Sequence, residues 1–369
     1  MRHRLHSICP YFAMFPESFV KVQLERFSSE GDYIFDPFSG RGTTLFESLL
    51  HGRNATAVDI NPVAYCLSKA KADAPRLAVV VKRIQRLHDL FESTDNTDLK
   101  KASADLPPFF RRAFYHSTLL ELLFLRKNLK WRERTVDNFI AALVLGSLHG
   151  EMDRPVYFSN QMPRTICLKP DYSLRYWRSH SLFPQKRQVF TMLVAKAKFR
   201  LEHGRPEQRG VTRQCDARMA SKLLPDLAEK VRLVVTSPPY LNVTAFEEDQ
   251  WLRLWFLGGE PNPTYGRISR DDRHQNAGRY WTFLTETWQG IAPLLRRDSV
   301  LVLRIGAKAL SLEDITQGVL RSLTSVFPAN EWLHEPEISV IRGKQVRAFN
   351  PAAGGCQYET DFFYAPFAH

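Results

Sequence analysis

The chain has 369 residues, 44% of them hydrophobic, five cysteines and a formal net charge of +12. That length accommodates one large domain with an insertion, or two domains, and no apolar run nears the ~18 residues of a membrane helix. The start lacks a secretory-type apolar stretch, and the cysteines show no Cys-x-x-Cys or Cys/His spacing. The expectation is therefore a cytoplasmic protein with reduced thiols, no membrane association and no metal site.

The first element in chain order is an amphipathic helix from residue 17, leading into the short apolar run Tyr33-Ile34-Phe35. This β-type run ends in Asp36-Pro37-Phe38-Ser39-Gly40-Arg41-Gly42-Thr43-Thr44, and Leu45–Leu50 then reads as a helix. A second strand is expected at Ala55–Asp59, closing with an acid about twenty residues after the glycine turn. Strand, glycine turn, helix and strand in that order begin a doubly wound α/β sheet.

After Asn61-Pro62 the alternation stops for more than a hundred residues. Leu119–Lys130 and Val136–Leu148 read as helices, Ser93–Ala104 as an exposed linker, and residues 76–210 as an inserted, mainly helical module. Aromatic and basic residues interleave there, as in Phe109-Phe110-Arg111-Arg112 and Tyr172 to Arg178. Residues 76–213 carry 26 Lys/Arg against 13 Asp/Glu, whereas the flanking segments are close to neutral. That excess suits a polyanionic partner, though a solvated helical surface has the same composition.

The α/β pattern resumes at Val211–Asp216 and again at Val231–Val235, which runs into Thr236-Ser237-Pro238-Pro239-Tyr240. Helices are expected at Glu247–Leu257, Arg279–Leu295 and Ser311–Val326. Strands are expected at Ser299–Ile305, Glu337–Ile341 and Glu359–Tyr364, the last two forming an antiparallel edge. The fold class is thus α/β, a doubly wound, mostly parallel seven-stranded Rossmann-like sheet. Residues 1–75 and 211–369 form it, and residues 76–210 are inserted.

Gly40 and Gly42 supply a turn that lets backbone N–H groups and a helix start approach a ligand closely. A missing third glycine and the Thr43-Thr44 pair argue against a dinucleotide fingerprint, and the absence of Gly-Lys-Ser/Thr argues against a P-loop. A ligand with a sulfonium, an amino acid moiety and a ribose fits better. Asp36 would lie near its ammonium, Asp59 would accept both ribose hydroxyls, and Asp216 could accept from an adenine amino group. Each aspartate after a strand also reads as a helix cap or turn residue, and for Asp216 the two readings stand level.

In the second motif, the Ser237 hydroxyl and the Pro238 carbonyl are placed to accept from the two N–H bonds of an exocyclic amino group. Such acceptors localise a lone pair otherwise delocalised into the base and stabilise charge as a methyl group arrives. The two prolines fix the carbonyl direction, and Tyr240 offers a face for an extruded base. The plain alternative is a Pro-Pro turn with Tyr240 packed against the sheet.

Together these residues resemble the amino-methyltransferase family of DNA modification enzymes. The run Asp36 to Thr44 is similar to that family's donor-binding motif, Val58-Asp59-Ile60-Asn61-Pro62 to its ribose motif, and Thr236 to Asn242 to its catalytic motif. Cys9 to Pro16 resembles the segment that packs against the donor's methionine end. The resemblance implies S-adenosyl-L-methionine as cofactor, held by Phe15, Asp36, Phe38, Gly40, Gly42, Thr43, Asp59, Ile60 and Asp216. It implies Ser237, Pro238, Pro239 and Tyr240 as the catalytic set, and residues 76–210 as the target-recognition region.

Serine at the first catalytic position implies methylation of cytosine N4 in double-stranded DNA with base flipping, at the nucleoid. A cognate restriction endonuclease is a further partner the family allows; the oligomeric state is left open. The alternatives are N6-adenine methylation, a structured RNA substrate, or a binding subunit without turnover. C5-cytosine methylation fits poorly, since neither Cys9 nor Cys356 sits in a Pro-Cys pair suited to a nucleophile.

Overall fold

The computed structural model describes residues 2–11, 15–150, 155–159, 169–241, 246–264, 276–306, 310–328, 331–340 and 358–367. Its strands in chain order are β1 (Tyr33–Asp36), β2 (Asn54–Asp59), β3 (Val211–Gln214), β4 (Val231–Thr236), β5 (Leu295–Gly306), β6 (Glu331–Trp332), β7 (Glu337–Val340) and β8 (Tyr358–Ala365). They form one sheet in the order β3-β2-β1-β4-β5-β8-β6, with β7 also on β8. The first five positions are parallel, and β8 runs antiparallel to β5.

The sheet is seven positions wide, yet the described residues hold eight strands. Its last position is divided between two short strands: β7 pairs with Tyr358 to Asp361 of β8, and β6 with Tyr364 and Ala365. Strand order runs outward from β1 in both directions, through β2 to β3 and through β4 to β5. The switch point of this doubly wound sheet therefore lies between β1 and β4, where open α/β sheets bind ligands at their carboxyl ends.

Side-chain alternation separates two cores. Ile34, Leu233, Val235, Val300 and Val302 face the helix Glu17–Phe27, which contributes Val20 and Leu24. Their neighbours Phe35, Val234, Leu301 and Leu303 face the other way, onto the helices Ala277–Ile291 and Leu312–Thr324. Ser311 caps the latter helix in a capping box with Asp314.

The chain divides into two compact units. One, comprising residues 11–68, 206–245 and 268–369, contains the sheet. The other comprises residues 1–10, 69–205 and 246–267 and is helical among its described residues. This second unit takes in residues 1–10 and 246–267, which the sequence pattern assigns to the α/β part. The reason is local packing. Trp251 and Trp255 sit against Phe109 and Phe110, and Arg253 donates through Nε to the carbonyl of Leu145 at 3.2 Å. At the centre of this unit, the helix Thr135–Leu145 is buried from Asp137 onward, and Asp137 is held by a bidentate Arg83 at 2.7 and 3.1 Å.

Two local expectations change. Residues 97–105 form a helix instead of a linker, because Asp95 accepts from the Thr97 N–H and hydroxyl while Leu99 and Ser103 turn inward. The expected helix Glu247–Leu257 is two short ones, Phe246–Asp249 and Trp251–Phe256, separated at Gln250, whose backbone (φ −120°, ψ 17°) is not helical. Cys167, Asn242, Cys356 and residues 343–350, a basic stretch of sequence, lie outside the described residues. No helix among the described residues is long and apolar enough to cross a membrane.

Candidate active site

The carboxyl ends of β1 and β4 are tied directly to each other. Thr236 donates its hydroxyl to Asp36 Oδ1 at 2.6 Å, and Thr44 donates to the Val235 carbonyl at 3.0 Å. Asp36 also accepts from the Phe38 N–H at 3.1 Å, which fixes the turn leaving β1. A cavity beside this junction is lined by Tyr11, Phe15, Asp36, Phe38, Ser39, Gly40, Arg41, Thr43 and Ser237. Residues from both motifs, some two hundred positions apart in sequence, thus share one concavity.

Gly40 and Gly42 both have positive φ, 51° and 71°. A Cβ on Gly42 would stand 2.8 Å from Ser68 Oγ and 3.1 Å from its Cα, and one on Gly40 would stand 3.4 Å from the Tyr11 ring. Gly42 is the left-handed residue that starts the helix Thr43–Leu50, so the turn and the helix N-terminus depend on it.

Asp59 closes the turn from the side. Its Oδ2 accepts from the Gly40 N–H at 2.8 Å and its Oδ1 from the Asn61 N–H at 2.9 Å, while the Asn61 side chain donates to the Tyr11 hydroxyl at 3.1 Å. Burial pushes the Asp59 carboxyl up to about 7 and the Asp36 carboxyl up to about 6, in each case against hydrogen bonds that favour the ion. Both raised carboxylates flank the same glycine turn. Next to them Ile60 is 56% exposed, an open apolar face where a planar ring can lie.

The pH consequence has a definite sign. Ligand hydroxyls need Asp59 as an ionised acceptor, and below its raised pKa it is protonated. Affinity for an adenosyl ligand is expected to rise with pH through about 7 and to weaken roughly tenfold per unit below it. Asp36 adds to the decline below about 6. Calorimetry of S-adenosylhomocysteine between pH 5.5 and 8.5 checks this; a flat profile would remove both carboxylates from the binding step.

Asp216 is placed differently. It caps the 3-10 turn Ala217–Met219, and its two oxygens take the Arg218 guanidinium, Oδ1 from Nε at 2.9 Å and Oδ2 from Nη2. Arg218 in turn reaches Glu286 at 2.8 Å. Burial works against the Asp216 charge, but Arg218 overcomes it and holds the carboxyl low. Of the two readings left level by the sequence, this geometry supports the cap; Asp216 does not line the cavity, and neither do Gly42, Asp59, Ile60, Pro238, Pro239 or Tyr240.

The second motif extends from β4 with Ser237 half-buried, Pro238 buried and Pro239 exposed. Tyr240 is only 4% exposed, and its hydroxyl donates to Glu359 at 2.9 Å. The open stacking face expected of Tyr240 is therefore not what this arrangement offers, because the Glu359 bond draws the ring inward.

Residues 2–70 match the model of the N6/N4-type family described as DNA methylase. Overlapping matches are found with the type II methyltransferase M.MjaII of Methanocaldococcus jannaschii, 37% identical over 67 residues, and with M.MvaI of Kocuria varians, 38% identical over 74. Residues 2–70 are similar to this DNA methylase family. The matches span 18% and 19% of this chain, but only 13% and 16% of those two relatives. Among solved structures, the rRNA methyltransferase aviRa of Streptomyces viridochromogenes aligns over 99% of this chain and 94% of its own, at 13% identity and TM-score 0.35. A likeness at that level says nothing about substrate.

Within the DNA methylase segment lie Phe15, Asp36, Phe38, Gly40, Gly42, Thr43, Asp59 and Ile60; Asp216 and Ser237 to Tyr240 lie outside it. Sequence reasoning missed Tyr11, Ser39 and Arg41 as cavity residues. Arg41 lies between the two glycines of the motif and was given no role of its own; its 4% exposure beside Asp36 and Thr43 reveals a buried cation there. The methylase family's alternative of a cysteine nucleophile gains nothing: Cys9 is buried, and burial pushes the Cys215 thiol up to about 11.

Proposed function

We propose that this protein is an S-adenosylmethionine-dependent amino-methyltransferase acting on cytosine N4 in double-stranded DNA. The observation that carries the reading is that Ser237 of the β4 motif lines the same cavity as Phe15, Asp36, Gly40 and Thr43 of the β1 motif. The residues suit this donor. The glycine turn has no room for side chains at Gly42, and Asp36 can neutralise an ammonium. Asp59 retains lone pairs for ribose hydroxyls, and Ile60 presents an apolar face for adenine. The donor supplies the methyl group; this chain supplies binding, orientation and acceptors.

Ser237 Oγ and the Pro238 carbonyl take one amino N–H each, which pyramidalises the nitrogen and withdraws its lone pair from conjugation with the ring. The Ser237 hydroxyl carries two lone pairs that can accept from the amino group. The buried Pro238 holds its carbonyl without a competing donor. Adenine N6 would use the same acceptors. Serine at position 237 favours cytosine by the family tendency. A paired restriction endonuclease belongs to the same family context.

The helical unit supports a nucleic-acid partner. In the helix Pro170–Ser179, Ser173 and Trp177 turn inward while Arg175, Arg178 and Tyr172 are exposed, with Tyr172, Tyr176 and His180 stacked in series. Arg112, by contrast, lies over the Phe183 ring at 4.2 Å, so of the Arg111-Arg112 pair only Arg111 is free to meet phosphate. Replacing both Arg175 and Arg178 by alanine is expected to lower the log–log salt slope of duplex binding by about 1.8, some 0.9 per lost phosphate contact. An unchanged slope in fluorescence anisotropy would move the DNA contact elsewhere.

The activity is tested with purified protein, methyl-labelled S-adenosylmethionine and either duplex DNA or folded RNA. Label recovered as N4-methylcytosine from DNA is expected. Label confined to RNA would overturn the substrate.

A further inference from the structure

The cavity shared by the two motifs holds a charged group to which neither motif assigns a role. Arg41 lines it together with Asp36 and Ser237, and only 4% of this residue is exposed. The local backbone puts it there. Arg41 stands between Gly40 and Gly42, whose φ values of 51° and 71° reverse the chain around it, and the Gly42 N–H closes the turn on the Ser39 carbonyl at 2.6 Å. Arg41 Nε donates to the Thr43 hydroxyl at 3.4 Å, which directs the guanidinium toward the start of the helix Thr43–Leu50. The positive end of that helix adds to its charge.

The lining therefore carries both signs. Asp36 is fixed at one place by the Thr236 hydroxyl at 2.6 Å and the Phe38 N–H at 3.1 Å, and Arg41 is held at another by Thr43. Asp59 and Ile60, the residues suited to ribose and adenine, do not line this cavity, which leaves it to the opposite end of the donor.

Resting on the amino-methyltransferase reading, we infer that Arg41 binds the α-carboxylate of the donor's amino acid end while Asp36 binds its α-ammonium, so that the cavity selects a donor with both charges intact. The two charges of an α-amino acid flank a single carbon, and here each finds a partner of opposite sign in one lining. A guanidinium forks onto the two oxygens of a carboxylate, which a lysine ammonium cannot do. The reverse assignment fails on sign, since Arg41 would repel the ammonium and Asp36 the carboxylate. Burial lifts the Asp36 carboxyl only to about 6, so at pH 7.5 it is the anion this arrangement needs.

Calorimetry at pH 7.5 with two ligands tests the assignment: S-adenosylhomocysteine, and its decarboxylated analogue, which keeps the ammonium, thioether and adenosine. The wild-type protein is expected to bind the first about 10-fold to 100-fold more tightly, the range of a hydrogen bond to a charged group. Arg41→Met, which keeps an unbranched stem without the charge, should lose that factor for S-adenosylhomocysteine. It should bind the decarboxylated analogue at least as tightly as the wild type does, because the guanidinium no longer repels the ammonium. Arg41→Lys should restore part of the preference. Equal losses for both ligands in Arg41→Met would make Arg41 a brace of the turn and overturn the inference, as would unchanged affinity for both. A wild-type protein that binds the two ligands equally overturns it whether or not the variants fold. A wild-type protein that binds neither overturns the methyltransferase reading itself.

Discussion

Replacing Ser237 by alanine is expected to reduce methyl transfer by about 100-fold to 1,000-fold, the usual loss when one preorganised hydrogen-bonding group is removed from a reacting centre. The hydroxyl's lone pairs are available to the amino group. Alanine leaves the amino group with the Pro238 carbonyl alone, so the lone pair stays delocalised into the ring. Ser237 is half-buried and ends β4 without packing into either core, so folding and donor affinity should hold. Single-turnover kinetics with calorimetry separates these effects, and equal rates in the two proteins would remove Ser237 from the chemistry.

Gly42→Ala should abolish donor binding. Alanine at φ 71° costs about 1–2 kcal/mol of backbone strain before any contact is counted. Its Cβ would then stand 2.8 Å from Ser68 Oγ and 3.1 Å from the Ser68 backbone. Rotating the Ser68 hydroxyl away relieves the first overlap, but not the second, because the helix Pro62–Ala72 that carries Ser68 would have to move. That hydroxyl also bonds Ser39 at 3.0 Å inside the same turn. The start of the helix Thr43–Leu50 is therefore displaced, and with it the N–H groups facing the cavity. A lowered thermal midpoint with no calorimetric signal for S-adenosylhomocysteine is expected; wild-type affinity would show that the turn tolerates a side chain.

The two motifs and their strands were legible in sequence because each compresses several constraints into a few residues. An apolar run, a turn requiring glycine or proline and a helix start leave few alternatives, and β1, β2, β4 and β5 lie where the pattern puts them. Asp36 and Asp59 carried a signal through their position at strand ends. Asp216 carried the same signal with a different outcome, because Arg218, two residues on, takes the carboxylate first. No local pattern distinguishes the two cases.

What could not be read depends on pairings distant in sequence. Glu359 and Asp361 carry no site signal within the expected edge strand, yet β5 pairs with β8 and brings Arg304 beside them. Tyr240 reads as an open aromatic until Glu359, 119 residues later, draws its hydroxyl inward. The helix at residues 97–105 was hidden for the opposite reason: with Leu99 and Ser103 its only buried residues, it has too little periodic apolar surface to register.

The most direct test is chromatography with mass spectrometry of nucleosides from DNA and RNA of cells producing the intact protein or its Ser237→Ala form. N4-methylcytosine in DNA with the intact protein alone is the expected result. N6-methyladenine in its place would change the base and keep the site. DNA free of any methylated amino group in both would contradict the central claim.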